Sequence, residues 1–232
     1  MTFKNLLTSD QTTTRTLLHE AIPLTGAIVS GTYADENIKD YAHGMFQSVY
    51  DYPYLSSSAN HIFDISFGYS ANSPYSASTS VQNSKKINMY NQMAQVLAGY
   101  DENGNIQSFD EDGNIAAGGN KIVDAYFLNF ARLLSKDEIK KGSFSMDLGV
   151  EPDYSQNPAN QDTFNERIVI TDFSGSSGFK VNSPAGEYGV LYVTASTTST
   201  GTNTILTNTK PERTPVGLIY YQAGVVVLSG SI

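Results

Sequence analysis

The stretch YDENGNIQSFDEDGNI, Tyr100 to Ile115, holds two acidic Gly-containing phrases, ENGNI and EDGNI. Its letters suit a calcium loop, a pair of catalytic carboxylates, or two turns of a sheet. A calcium loop needs oxygen ligands at positions 1, 3 and 5, Gly at 6 and an acidic residue at 12. Asp101, Asn103, Asn105 and Asp112 fill 1, 3, 5 and 12, but Ile106 stands where the sharp turn needs Gly. The second copy, Asp110, Asp112 and Asn114, has Ile115 at 6 and Lys121 at 12. Asn103-Gly104 and Asp112-Gly113 are instead the dipeptides best suited to two-residue hairpin turns. They predict a short meander with a central strand over Asn105–Glu111. That strand would hold the two acidic ends about 20 Å apart, too far to flank one scissile bond. The stretch predicts architecture.

The rest of the chain extends the β reading. HIFDISFGYS alternates, with Phe63, Ile65, Phe67 and Tyr69 facing one way and Asp64, Ser66 and Gly68 the other. SFSMDLGV places Phe144, Met146, Leu148 and Val150 on one face. RIVITDF, GEYGVLYVTAS, GLIYYQAGVVVLSG and the earlier PLTGAIVSGTY read as further strands. KIVDAYFLNFARLL fits a buried strand and a helix face alike; its aromatics and the preceding Gly-Gly favour the strand. KKINMYNQMAQVLAGY is an amphipathic helix over 85–98, with Ile87, Tyr90, Met93/Ala94 and Leu97 at three- and four-residue steps and Gly99 to end it. Ser135 and Glu138 form a capping-box pattern that predicts a short helix over 136–141, closed by Gly142. The fold class expected is mainly β to α+β, with antiparallel strands and hairpins in a sandwich- or barrel-like arrangement.

Residues 1–20 are Thr-rich and read as an arm. Ser70–Ser84 and the Thr/Ser/Asn-rich 194–209 read as loops, and 151–164, with two prolines, as an exposed connection. The expected organisation is one β-rich domain over 21–232, or two subdomains, 21–150 and 165–232.

Composition narrows the function. The chain has 232 residues, 40% hydrophobic and 11% aromatic, enough for a sizeable core. Its net charge of −9 and pI near 4.7 disfavour nucleic acid and anionic membranes, since only Lys85-Lys86 and Lys140-Lys141 cluster positive charge. Cysteine is absent, so thiol catalysis, disulfides and zinc–thiolate sites are excluded. No secretory h-region stands at the N-terminus, and Val216–Leu228, interrupted by Gln222, is too short to span a bilayer. These features predict a protein assembled in the cytoplasm.

Chemistry-bearing motifs are missing. There is no Gly-x-Ser-x-Gly, phosphate loop or dinucleotide fingerprint, and SGSSG around Ser176 reads as a flexible turn. His19, His43 and His61 match no metal spacing. The expectation is a protein that is not an enzyme, with no catalytic residue, metal or cofactor. The remaining candidates are aromatic. Tyr50, Tyr52 and Tyr54 alternate, so in an extended segment their rings share one side. They suit a subunit interface, a glycan-stacking platform or internal packing, and the absence of Trp weakens the glycan reading. Tyr220 and Tyr221 carry the same alternatives. VVVLSGSI ends directly after an apolar strand, which calls for a neighbour or a longer parent chain.

HGMFQSVYDYPYLSSSANHIFDISFGYS, KKINMYNQMAQVLAGYD, LLSKDEIKKGSFSMDLG, VNSPAGEYGVLY and GLIYYQAGVVVLSGS resemble virion structural proteins of contractile-tailed (myovirus) phages of marine cyanobacteria. The resemblance covers most of residues 20–232 and includes no catalytic motif. Family members run longer, with a further C-terminal β-rich portion, so this chain resembles their N-terminal part. It implies a particle component without giving its location; the tail, baseplate or neck is favoured over the capsid. Other phage structural proteins and copies of itself would be its partners. The alternative it leaves is a glycan- or receptor-binding module on the particle surface.

Overall fold

The computed structural model describes residues 38–42, 44–50, 54–55, 57, 59–77, 81–114, 118–130, 134, 138–149, 167–197 and 214–230. Strands β1 (Ile38–Lys39), β2 (Gln47–Tyr50) and β3 (His61–Tyr69) are followed by a 3₁₀ turn (Pro74–Ala77) and helix α1 (Val81–Leu97). Then come β4 (Asp124–Asn129), β5 (Ser145–Gly149), β6 (Arg167–Thr171) and the single-turn helix α2 (Gly175–Gly178). Strands β7 (Lys180–Ser183), β8 (Gly186–Thr197), β9 (Pro215–Tyr220) and β10 (Val225–Ser229) complete the order.

All ten strands join one antiparallel sheet, β1-β2-β3-β4-β10-β9-β8-β6-β5, with β7 paired to β8 off this path. The mainly β expectation holds. Because β4 pairs with β10, the strands before and after 151–164 belong to the same sheet. The sheet is strongly curled. Phe130, just past β4, and Phe144, just before β5, lie five strand spacings apart, about 24 Å on a flat sheet. Their ring centroids are 6.1 Å apart. Curling encloses one core of Ile65, Phe67, Leu128, Ile170, Leu191 and Ile219.

The opposite face of the central strands carries a second core. Tyr90, Ala94 and Leu97 of α1 pack there against Phe127, Leu218 and Val227. In β10, Val225 and Val227 enter this core while Val226 and Leu228 enter the first. That is why VVVLS reads as an unbroken apolar run: a strand buried on both faces has no polar side to show. Fully burying each such side chain contributes about 1.5–3 kcal/mol. Tyr220 and Tyr221 are neighbours, so strand geometry sends them apart, Tyr220 into the second core and Tyr221 into the first.

Alternation along β3 is as the sequence predicts, with Phe63, Ile65, Phe67 and Tyr69 on the first core. On the other side Gly68 admits α1. A Cβ there would stand 2.8 Å from the backbone nitrogen of Tyr90 and 2.9 Å from the carbonyl oxygen of Lys86. The predicted helix is present and starts earlier, at Val81. Gly99 ends it at φ +84°, its amide donating to the Ala94 carbonyl.

Other expectations are corrected. Gly104 and Gly113 do adopt positive φ, but each turn is centred one residue earlier, on Glu102-Asn103 and Glu111-Asp112. The Gly104 amide donates to the Asp101 carbonyl and that of Gly113 to the Asp110 carbonyl. The first is a three-residue loop with glycine last, closed by the Asp101 amide on the Asn105 carbonyl, not a two-residue one; after the second the chain pairs back only at Asn120 and Lys121. Between the turns no strand forms over 105–111; Tyr100↔Ile106 and Asp110↔Lys121 are isolated bridges. Aspartates that bond nearby amides compete there with ladder pairing.

Among the described residues 138–142 no helix forms. A turn stands there instead, closed by Gly142 at φ +75° and by Lys141 gripping Glu138. The capping residue Ser135 lies outside the described residues, as do the predicted arm, PLTGAIVSGTY, the 151–164 connection and most of 194–209. SGSSG, read as a flexible turn, contains α2.

Candidate functional site

β2 ends at Tyr50 and β3 begins at His61, and their register pairs these residues directly. The Tyr50 ring lies 6.3 Å from that of Tyr54 and meets the His61 imidazole edge-on at 5.4 Å. Tyr52 lies outside the described residues. Tyr50 and Tyr54 are both half-buried, so the two described rings form a corner that is partly open to solvent.

Asp64 anchors this corner. Its Oδ1 accepts from Ser48 Oγ at 2.5 Å and from His61 Nε2 at 2.7 Å. Because the Ser48 proton points at the carboxylate, the Tyr41 hydroxyl donates to Ser48 Oγ, at 3.2 Å. Ser, His and Asp are the residue types of a hydrolytic triad, but the order differs. In a triad the imidazole takes the serine proton, whereas here the carboxylate stands between serine and imidazole. The arrangement orients rings and does not activate a nucleophile. The His61 side chain is only 7% exposed, and its Nδ1 has no partner among the described residues.

A second polar centre lies at the other end of the curl. Asp172, fully buried, accepts from the Gly142 amide (2.7 Å), the Phe144 amide (2.8 Å) and the Tyr221 hydroxyl (3.1 Å). Burial pushes its carboxyl above the usual carboxylate range, and the three donors oppose that shift. Lys141 sits above, bonded to Glu138 (2.9 Å) and Glu187 (2.5 Å), with its ammonium 5.0 Å from the Phe179 ring centre and 5.5 Å from that of Tyr221. Glu138 Oε2 is buried without a partner among the described residues. This cluster fastens the 138–144 turn and α2 to β8 and β9.

The acidic turns are spent in the same way. Asp101 Oδ1 accepts from the Asn103 and Asn105 amides. Asp110, with its side chain 1% exposed, accepts from the Asp112 amide and from Lys121 Nζ at 2.7 Å. Desolvation, with a further push from Asp112, raises the Asp110 carboxyl. Hydrogen bonding to Asp110 in turn lowers the Asp112 carboxyl. Among the described residues no three His, Asp or Glu side chains gather to hold a metal ion.

Of the aromatic candidates, the structure brings Tyr50 and Tyr54 together and separates Tyr220 and Tyr221. The last two have no exposed surface and are part of the chain's own cores, so internal packing is the reading that applies to them. His19 and His43 lie outside the described residues. Sequence reasoning missed Asp172, because its donors come from residues 28 to 49 positions away and nothing near TDF signals them. It also missed the apolar side chains left at the surface. Val96 (64% exposed), Tyr100 (56%) and Val181 (69%) flank the place where Ser183 Oγ donates to the Leu97 carbonyl and Pro184 packs on Gly99. Only the positions of Val96 and Tyr100, off the buried stripe of α1, could have hinted at them. No family model, curated protein or solved structure matches the chain.

Proposed function

We propose that the chain is a non-enzymatic structural component of a tailed phage particle, in the tail, baseplate or neck, that works through protein–protein contacts. The observation that carries this reading is how the side chains are divided. The carboxylates at the turns and in the curl are engaged by backbone amides and lysines. Large apolar groups, by contrast, stand in water at Val96, Tyr100 and Val181, and at Phe173 beside Tyr192. Surface of that kind is repaid by burial against another subunit, where aromatic side chains supply area with few rotamers. The resemblance of the long sequence phrases to virion proteins points the same way, with copies of itself and other particle proteins as partners.

The test is mass spectrometry of purified particles followed by cryo-electron microscopy. The expected result is this chain at a fixed copy number, with the Val96–Tyr100–Val181 face covered by a neighbour. Its absence from purified particles would overturn the reading. A glycan array that lights up and goes dark with Tyr54→Ala would favour a surface receptor-binding module.

A further inference from the structure

Helix α1 buries a lysine that no described residue answers. Lys86 is 2% exposed, and its Nζ has no hydrogen-bond partner among the described residues. An ammonium without water or a counter-ion is among the costliest groups a core can hold. Among the described residues the elements packed against α1 offer no acceptor that reaches it. On β3, Tyr69 donates to Asn83 Oδ1, and Asp64 is held by His61 and Ser48. Tyr75 of the 3₁₀ turn stacks near Tyr69, and Asp124 of β4 receives Ser73. In the second core Tyr90 donates to the Ile122 carbonyl, and Tyr188 to the Gly113 carbonyl. The neighbouring charge that acts on Lys86 is another cation, Lys85. The first turn of α1 carries no acid to answer it.

The amine also has little means of escape. With the backbone of α1 seated on Gly68, between Lys86 and Tyr90, Nζ gains water chiefly by the helix lifting from β3. We propose that Lys86 is a proton-sensitive latch, holding α1 on the sheet while its amine is neutral and releasing it when the amine is protonated. Burial first, then Lys85, lowers the amine from its ordinary 10.5 to about 8 in the folded chain. A group lowered on folding binds fewer protons in the native state, so docking strengthens as pH rises from about 8 toward 10.5 and is weakest below 8. Near neutral pH, α1 is therefore the element poised to open, and opening would bare the second core.

Amide hydrogen exchange read by mass spectrometry tests this at about pH 7 and about pH 9.5, corrected for intrinsic rates. In the native chain the protection of α1 should rise about thirtyfold across the interval, while β10 changes less. Lys86→Met should protect α1 at both pH values, and Lys86→Arg, charged throughout, should leave it loose at both. Equal protection of native α1 at the two pH values would overturn the latch. So would the same rise in Lys86→Met, or an equal rise in β10.

Discussion

Removing the Asp172 carboxylate tests how the curl is held. In Asp172→Ala the Gly142 and Phe144 amides and the Tyr221 hydroxyl lose their acceptor together. A buried donor left unsatisfied costs about 1–3 kcal/mol, so three cost about 3–9. Two effects pull the sum toward its lower end. Gly142 is exposed enough for its amide to find water, and the carboxylate's own desolvation, the largest cause of its raised pKa, is relieved. The expected net loss is about 3 kcal/mol, a large share of the roughly 5–15 kcal/mol that holds a domain of this kind. Urea unfolding followed by circular dichroism would read it as a lower midpoint at unchanged slope. Tyr221→Phe alone should cost about 1 kcal/mol. The double variant should cost less than the two singles summed, because it removes one of the orphaned donors. A loss below about 1 kcal/mol in Asp172→Ala would refute the claim that this carboxylate ties the 138–144 turn to β9.

Further predictions follow from close contacts and buried charges. Gly68→Ala should destabilise by about 1–3 kcal/mol, because the new methyl meets the α1 backbone rather than a movable side-chain tip; thermal unfolding checks it. Lys121→Met should cost about 2 kcal/mol at neutral pH, short of the ~3–5 for a wholly buried pair because Lys121 is part-exposed. That cost should shrink in acid as Asp110 takes a proton, which unfolding at two pH values would show. Tyr90 and Tyr188 are pushed up to about 12 by burial, so the native state keeps protons that the unfolded chain gives up from pH 10. Stability should therefore fall as pH rises past 10, and phenolate absorbance should appear in step with unfolding. Val96→Asp with Tyr100→Ser should leave the melting temperature within a degree or two, since both side chains are exposed, yet under the proposed particle role abolish incorporation into particles.

Much of the fold was legible because burial imposes a period. Ile65 and Phe67 alternate with Asp64 and Ser66, Tyr90, Ala94 and Leu97 step around one helix face, and β10 reads as a solid apolar block. What failed was local polar chemistry. Asp101 and Asp110 fold back on amides two residues ahead, which moved the turn centres and left 105–111 without a ladder. Glu138 turned from capping a helix to holding Lys141, a choice made by residues brought in from β8 and β9. The Tyr50–Tyr54 pairing was visible as spacing, but its dependence on His61 and Asp64 was not, since that corner exists only once β2 meets β3. Lys86 was hidden for the opposite reason: its neighbour Lys85 makes the pair look like ordinary solvated charge.

The place of β10 in the sheet sets the order in which the molecule can be made. It lies between β4 and β9, bonded to both, yet follows the other nine described strands in sequence. While the ribosome is still translating the preceding residues, β4 and β9 each present an unpaired edge, and two half-sheets wait for the staple that will join them. Emerging chains of this protein therefore stay open to mispairing with one another until synthesis passes Ser229, and strands that close late and over long separations close slowly. Shielding those edges until then, as a chaperone does, should raise the yield of folded chain.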